Sequence, residues 1–214
     1  WHLFEEAVQA GVTIEKIFAL ESYRDQLAAF PQTVWVSEEI LRDLADTQTP
    51  QGIVAVIQKE EEGLPDFSQG KFLFLEDVQD PGNVGTMIRT ADAAGFTGVI
   101  VSDKSADIYS LKTLRSMQGS HFHLPIYRMS LASFVEEAKK SNLPILATTL
   151  SKESKDYREL SPLENFALVM GNEGQGISSV MAESADQLVH IGMKGRAESL
   201  NVAVAAGILM LYFS

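Results

Sequence analysis

The spacing of apolar positions divides the chain into two stretches of different character. From Trp1 to Lys59, short apolar runs alternate with polar, capped segments. The pattern predicts a helix over 1–10 stopped by Gly11, a strand over 14–19, a helix over 22–30 and a strand over 33–36. A helix over 38–45 capped by Ser37 and a strand over 52–58, entered through Thr49-Pro50-Gln51, complete this part. A charged, aperiodic segment with Pro65 and two glycines follows and reads as a linker over 60–70. Beyond it, strands at 72–75, 98–102, 121–127, 144–148, 166–170 and 188–193 alternate with helices at 84–94, 110–117, 131–141 and 177–184. Such alternation predicts a mainly parallel sheet with helices on both faces, where ligands sit at the carboxyl ends of strands.

The last helix, from about Leu200, carries no polar side chain between Val202 and Phe213. It is expected to be buried on nearly all sides, and twelve apolar residues fall short of the ~20 that span a bilayer. Ala203, Ala206, Gly207 and Met210 form a thin stripe that admits a second helix, for which a dimer contact is one use. Ahead of this helix, Glu198, Ser199 and Asn201 cluster where free backbone N–H groups gather; Ser199 is either its N-cap or part of a ligand site.

Two further loops at strand exits are unusual. In 76–95, Pro81-Gly82 makes a turn, Asn83 is expected to cap the next helix, and Gly95 to end it. Gly85, Arg89 and Asp92 share one helix face, which either leaves room beside the guanidinium or holds an Arg89–Asp92 ion pair. The loop Gly171-Asn172-Glu173-Gly174-Gln175-Gly176 has glycines that permit a close backbone approach but fits neither the phosphate-loop nor the dinucleotide pattern. His121 and His123 are expected on one strand face, without the further ligands that a metal site needs.

Composition narrows the class. The 214 residues are 45% hydrophobic and 21% charged, ordinary for a soluble globular protein. The absence of cysteine excludes disulfides and thiolate chemistry and fits a cytoplasmic setting. Glu5 and Glu6 stand where a secretion signal carries basic residues, so no membrane partner is expected. The chain begins without an initiator Met and is expected to be incomplete at its amino end. Net charge, 17 − 29 = −12, opposes extensive phosphate contact, unless Lys104, Lys112, Arg115, Arg128, Lys194 and Arg196 gather into a basic rim.

Taken together, Asn83-x-Gly85-x-x-x-Arg89, Gly171-Asn172-Glu173-Gly174-x-Gly176 and Ile191-x-Met193-x-Gly195-x-x-Glu198-Ser199-Leu200-Asn201-Val202 resemble the three ordered motifs of the SpoU (TrmH) RNA ribose methyltransferases of the SPOUT superfamily. The resemblance covers Lys71 to Phe213, and residues 1–59 resemble the small ribosomal-protein-like, RNA-binding α/β domain that precedes the catalytic domain in many members. It implies an α/β catalytic domain over 71–214 with a deep carboxyl-terminal trefoil knot, a rare departure from unthreaded chains. It further implies a homodimer that binds S-adenosylmethionine and methylates a ribose 2′-hydroxyl of structured RNA, rRNA above tRNA.

By the same resemblance, Gly171, Ile191, Met193, Leu200 and Thr148 hold the cofactor, Arg89 acts as the base, and Asn83, Glu173, Ser199 and Asn201 support it. Two positions depart from the family pattern: Gly192 and Leu111 stand where proline is common, and Gly192 is expected to loosen the turn into the cofactor loop. An RNA-binding or ribosome-assembly factor with the same fold and no turnover is the alternative. Retention of Arg89, Glu173, Ser199 and Asn201 together argues against it. A small-molecule methyltransferase of the open-sheet type predicts a Gly-x-Gly-x-Gly loop after the first strand, and none occurs.

Overall fold

The structure, a computed structural model, describes residues 1–45, 49–59 and 63–214, which fall into two compact units divided at Glu61 and Glu62. The first unit has a three-stranded sheet in the order β2-β1-β3, from β1 (Ile14–Ala19), β2 (Thr33–Trp35) and β3 (Ile53–Ile57). β1 runs parallel to β2 and antiparallel to β3. Ile17, Ala19 and Leu27 are its buried centre, with Trp1, Phe4, Tyr23 and Phe30 packed against them. Two helices, α1 (His2–Gln9) and α2 (Glu38–Leu44), accompany the sheet, and Gly11 takes the left-handed conformation just beyond α1. Ser37 caps α2 as expected, its hydroxyl accepting from the Ile40 N–H. The helix expected over 22–30 is instead one 3-10 turn, Glu21–Tyr23, followed by further turns. Among its residues only Leu27 is fully buried, and a short helix without a packed face gains too little to persist.

The second unit is built on a seven-stranded sheet, all of whose pairings are parallel. Its strands are β4 (Lys71–Leu75), β5 (Gly98–Val101), β6 (Ile126–Arg128), β7 (Ile145–Thr148), β8 (Lys155–Asp156), β9 (Phe166–Met170) and β10 (Gln187–His190). Their order is β6-β5-β4-β9-β7-β10-β8. Alternation along the central strands feeds two cores. Leu73 and Leu75 of β4, with Phe166, Leu168 and Met170 of β9, join the cluster that includes α3 (Pro81–Ala93), α4 (Leu111–Met117) and α7 (Val202–Phe213). Phe72, Phe74, Ala167 and Val169 join the other, which includes α5 (Leu131–Lys140) and α6 (Ser179–Ser184). There Phe74 and Phe134 stack with centroids 4.1 Å apart. The expected linker lies partly outside the described residues; its described part contributes Phe67, buried edge-on against Phe72.

Several expectations are corrected. His121 and His123 do not share a strand: Gln118 and Gly119 turn left-handed, a 3-10 turn follows at Ser120–Phe122, and Pro125 delays β6 to Ile126. Burial, with the His123 charge beside it, pushes the His121 imidazole down to about 4, so that it is neutral at physiological pH. β10 ends at His190 and α6 begins at Ser179, capped by Ser178.

The terminal helix is not enclosed all round. Its small-residue stripe is taken by α3 of the same chain, with a Cβ on Gly207 lying 3.7 Å from Thr90 Cγ2. On another face Val204 and Leu211 are 53% and 62% exposed, with Ile208 half-buried between them. No helix among the described residues is long and apolar enough to cross a membrane.

Gly85 has a packing role. It is buried, and a Cβ there would lie 2.6 Å from the Thr113 carbonyl oxygen and 3.0 Å from the Met117 nitrogen, both backbone atoms of α4. The space that the sequence suggested beside Arg89 is therefore filled by protein. Gly85→Ala forces α3 and α4 apart and is expected to cost about 1–3 kcal/mol, read as a fall of several °C in thermal melting. An unchanged midpoint would refute this packing role.

Candidate active site

The site is assembled from loops at the carboxyl ends of four neighbouring strands, β4, β9, β7 and β10. The strand order reverses among them, because the chain steps outward from β4 to β6 and then returns to the other side, and such a crevice is where ligands bind in open α/β sheets.

After β4, Glu76 is buried and accepts from the Ser178 N–H at 3.2 Å. Asp77 is left-handed (φ 56°), and its N–H donates to Ser102 Oγ at 2.8 Å while its carboxylate accepts from the same hydroxyl. Ser105 Oγ accepts from Val78 N–H and can donate to the Leu75 carbonyl. These bonds fix the path of the loop into α3. Asp80, not Asn83, caps that helix: its side chain accepts from the Asn83 N–H at 2.9 Å, and Pro81 occupies the first turn. The Lys112 ammonium, 2.8 Å away, holds the Asp80 carboxylate below its usual range. The Asp-Pro pair is a signal in the sequence for this start, since proline suits a position whose N–H has no helical partner.

With the cap supplied by Asp80, the Asn83 side chain is released for another role. Its Nδ2 donates to Glu173 Oε1 at 3.1 Å, and its Oδ1 accepts from Asn201 Nδ2 at 3.1 Å. Glu173 also accepts from the backbone N–H groups of Asp80 (3.0 Å) and Gln79 (3.1 Å). Partial burial raises the pKa of this carboxylate, but its hydrogen bonds outweigh that effect and hold it below its usual value. Three distant segments thus meet through one chain of bonds, Glu173–Asn83–Asn201.

The loop that carries Glu173 is itself tightly folded. Asn172 and Gly176 exchange backbone hydrogen bonds of 3.0 and 2.9 Å, while Asn172 Oδ1 accepts from Gly174 and Gln175 N–H. Asn172 Nδ2 donates to the Asp77 carbonyl at 2.8 Å. A Cβ on Gly171 would lie 2.3 Å from Gly176 C, so only glycine permits this closure.

Asn201 caps α7, accepting from the Ala203 and Val204 N–H groups, so Ser199 is not the cap. Ser199 lies on the exposed turn ahead, without a hydrogen bond to Asn83 or Glu173 among the described residues. Arg89 is exposed on α3, and Asp92 pairs with His123 at 3.1 Å instead. Of the expected rim, Lys112 and Lys104 approach the carboxylates of Asp80 and Asp77, and Arg128 donates to the Ser102 carbonyl.

The remaining candidates are neighbours through strand order. Gly171, Thr148 and Ile191 stand at or just beyond the ends of β9, β7 and β10, which lie side by side. The Thr148 hydroxyl donates to the Val169 carbonyl at 2.9 Å. Gly192, expected to loosen the next turn, is tied by its N–H to Asp156 Oδ2 at 3.2 Å. From Met193 to Leu200, no hydrogen bond or ion pair to the rest of the chain occurs among the described residues, so the backbone donors and acceptors there are open to a ligand. Half-buried Ile191 and Met193 and the partly exposed Leu200 flank them with apolar surface. That combination suits a flat heteroaromatic ring with polar edges.

Comparison with known proteins gives a consistent result. Residues 70–211 match the SpoU rRNA Methylase family, and residues 1–55 match the MRM3-like substrate binding domain. The chain is 42% identical over 213 residues to the 23S rRNA (guanosine(2553)-2'-O)-methyltransferase RlmP of Bacillus subtilis, covering 99% of this chain and 85% of that one. An AdoMet-bound rRNA methyltransferase from Sinorhizobium meliloti superposes with a TM-score of 0.85 at 32% identity, over 98% of this chain and 83% of that one. The SpoU methyltransferase AviRb from Streptomyces viridochromogenes, in complex with AdoMet, gives 0.82 at 29% identity, over 98% and 85%.

The Glu173 clamp has a measurable signature. Glu173→Ala is expected to speed hydrogen exchange at the Gln79 and Asp80 amides about five- to tenfold, the loss of one partly exposed, charge-assisted bond each. Because folding lowers the pKa of this carboxylate, its contribution is complete above the unfolded-state pKa and disappears as pH falls through the folded one. Protection at those two amides should therefore fall at acid pH in the unaltered protein and not in the variant; equal protection in both at neutral pH would refute the clamp.

Proposed function

The chain belongs to the SpoU rRNA methylase family, and from that premise we propose that it transfers a methyl group from S-adenosylmethionine to a ribose 2′-hydroxyl of ribosomal RNA, with 23S rRNA the first substrate to test. The observation that carries this reading is the convergence of the three motif-bearing loops through Glu173, Asn83 and Asn201 beside a loop whose backbone groups are open. The first unit, over 1–59, is proposed to bind the RNA, in keeping with the family it matches.

S-adenosylmethionine supplies an electrophilic methyl on a positively charged sulfonium, and the residues present fit it. Backbone groups of the 191–201 loop and Gly171 would hold its polar parts, and Ile191, Met193, Leu200 and Thr148 would supply the surrounding surface. A ribose hydroxyl is a weak nucleophile and must lose its proton as it attacks. Arg89 takes the role of base. Asn83, Glu173 and Asn201 hold the first turn of α3, and with it Arg89, in register with the cofactor loop, while the Ser199 hydroxyl is open to the ribose.

The same reading includes a threaded carboxyl end. β10 inserts between β7 and β8, so the segment joining those two strands must pass over it. A homodimer in the cytoplasm accompanies this reading, with the exposed apolar face Val204, Ile208 and Leu211 as its contact.

Calorimetry with S-adenosylmethionine, together with mapping of 2′-O-methylation on 23S rRNA, tests the proposal; absence of cofactor binding would reject it. Arg89→Ala is expected to lower transfer at least 100-fold, the scale of a lost general base, while cofactor affinity stays within about threefold because Arg89 is outside the proposed cofactor loop. Unchanged turnover would remove Arg89 from the mechanism.

A further inference from the structure

The segment 154–160 grips both elements that flank the loop 191–201. In the β8–β10 pairing, Val189 lies opposite Lys155 and His190 opposite Asp156. Two residues beyond that last rung, the Gly192 N–H donates to Asp156 Oδ2 at 3.2 Å. Glycine suits the contact, since a Cβ there would lie 2.6 Å from the same oxygen and push the Asp156 side chain aside. The Asp156 side chain is only 14% exposed and is gripped by its own turn, with Arg158 Nε and Nη2 each donating at 2.7 Å and the Arg158 N–H at 3.1 Å. Ser154 Oγ lies 2.9 Å from His190 Nδ1, a second tie to the end of β10. On the other side, the Tyr212 hydroxyl of α7 reaches the carbonyls of Leu160 (3.2 Å) and Arg158 (3.4 Å), and the rings of Tyr157 and Tyr212 meet edge to face at 4.8 Å.

We propose that Asp156 is a positioning residue for the cofactor loop: aligned by Arg158, its carboxylate anchors Gly192 and so pre-sets the backbone of residues 191–201 to receive S-adenosylmethionine. This rests on the function proposed above. The physical reason is entropic. Residues 193–200 make no hydrogen bonds of their own to the rest of the chain among the described residues, so their order depends on the anchors at either end. An unanchored loop must be ordered when the cofactor binds, and that cost is subtracted from the affinity. The Arg158 guanidinium holds the Asp156 carboxyl well below the usual carboxylate range, so the anchor persists across physiological pH.

The test separates cofactor binding from chemistry. Asp156→Ala is expected to weaken S-adenosylmethionine binding by about tenfold in calorimetry, the equivalent of one hydrogen bond. It should raise KM for the cofactor by a similar factor and leave kcat within about twofold. Asp156→Asn retains one oxygen for the Gly192 N–H but turns its amide N–H groups toward the Arg158 donors, so its loss should lie between the unaltered protein and Asp156→Ala. Arg158→Ala leaves the Asp156 carboxylate unaligned and should weaken cofactor binding in the same direction by about threefold, and the double variant should be no worse than Asp156→Ala alone, because Arg158 acts through that carboxylate.

An unchanged Kd and KM in Asp156→Ala, or a loss in kcat alone, overturns the proposal, as do single losses that multiply in the double variant. If Asp156→Ala fails to fold, Arg158→Ala and Asp156→Asn decide the matter by the same readings. No binding by the unaltered protein would overturn the functional reading and this one with it. Binding by the unaltered protein and equally by the variants would overturn this one alone.

Discussion

The second unit depends on one carboxylate acting where four strand ends converge. Loops at the edge of a parallel sheet have no ladder partners of their own, and their backbone donors must find acceptors elsewhere. Glu173 supplies acceptors to the Gln79 and Asp80 N–H groups and to the Asn83 side chain. It thereby fixes the loop after β4 to the loop after β9 at the first turn of α3. Asn83 then extends the tie to Asn201 and the start of α7. Since Asn201 also caps α7, the same residue ends the loop 191–201 and begins the helix that follows it. A chain of single hydrogen bonds is modest in energy, yet it sets the geometry of three segments that are separated by some ninety to one hundred and eighteen residues in sequence.

α3 is the element through which this geometry reaches the core. Its first turn holds the polar chain, Gly85 lets α4 approach to backbone contact, and Thr90 meets Gly207 of α7. Val84, Met87, Ile88 and Ala91 are fully buried on its remaining face. Arg89 therefore projects from a helix held on three sides, an arrangement suited to placing a long, flexible side chain with little loss of precision. On the opposite flank, Asp156 and Tyr212 hold the loop and helix that follow β10. A proline at position 192 would have no N–H to offer Asp156, so in this chain the glycine and the aspartate form one device.

Much of this was legible before any coordinates. Ser37 sits where a serine cap is expected, and it caps α2. The expected strands formed, 121–127 excepted, and the glycine-bearing loops beyond them carry candidate residues. The misreadings have local causes. The stretch 22–30 has helical spacing but buries only Leu27 fully, and 121–127 has alternation but follows two left-handed residues. Near these helix starts Asn83 is expected as a cap, and Ser199 as either a cap or part of a ligand site. The competing side chains, Asp80 and Asn201, stand in the geometry that captures the free N–H groups, and capping is decided by that geometry within a residue or two.

The sequence by itself determined the parallel sheet, the three motif-bearing loops and the family, because periodicity, caps and glycine positions are local properties that the chain carries wherever it goes. Only the tertiary structure decided which polar groups meet. Nothing in the spacing of Glu173, Asn83 and Asn201 announces that they bond to one another, that the stripe on α7 faces α3, or that Asp156 reaches Gly192. Those contacts join residues brought together by strand order, and strand order is settled by which faces of the whole chain can be buried at once, not by any window of it.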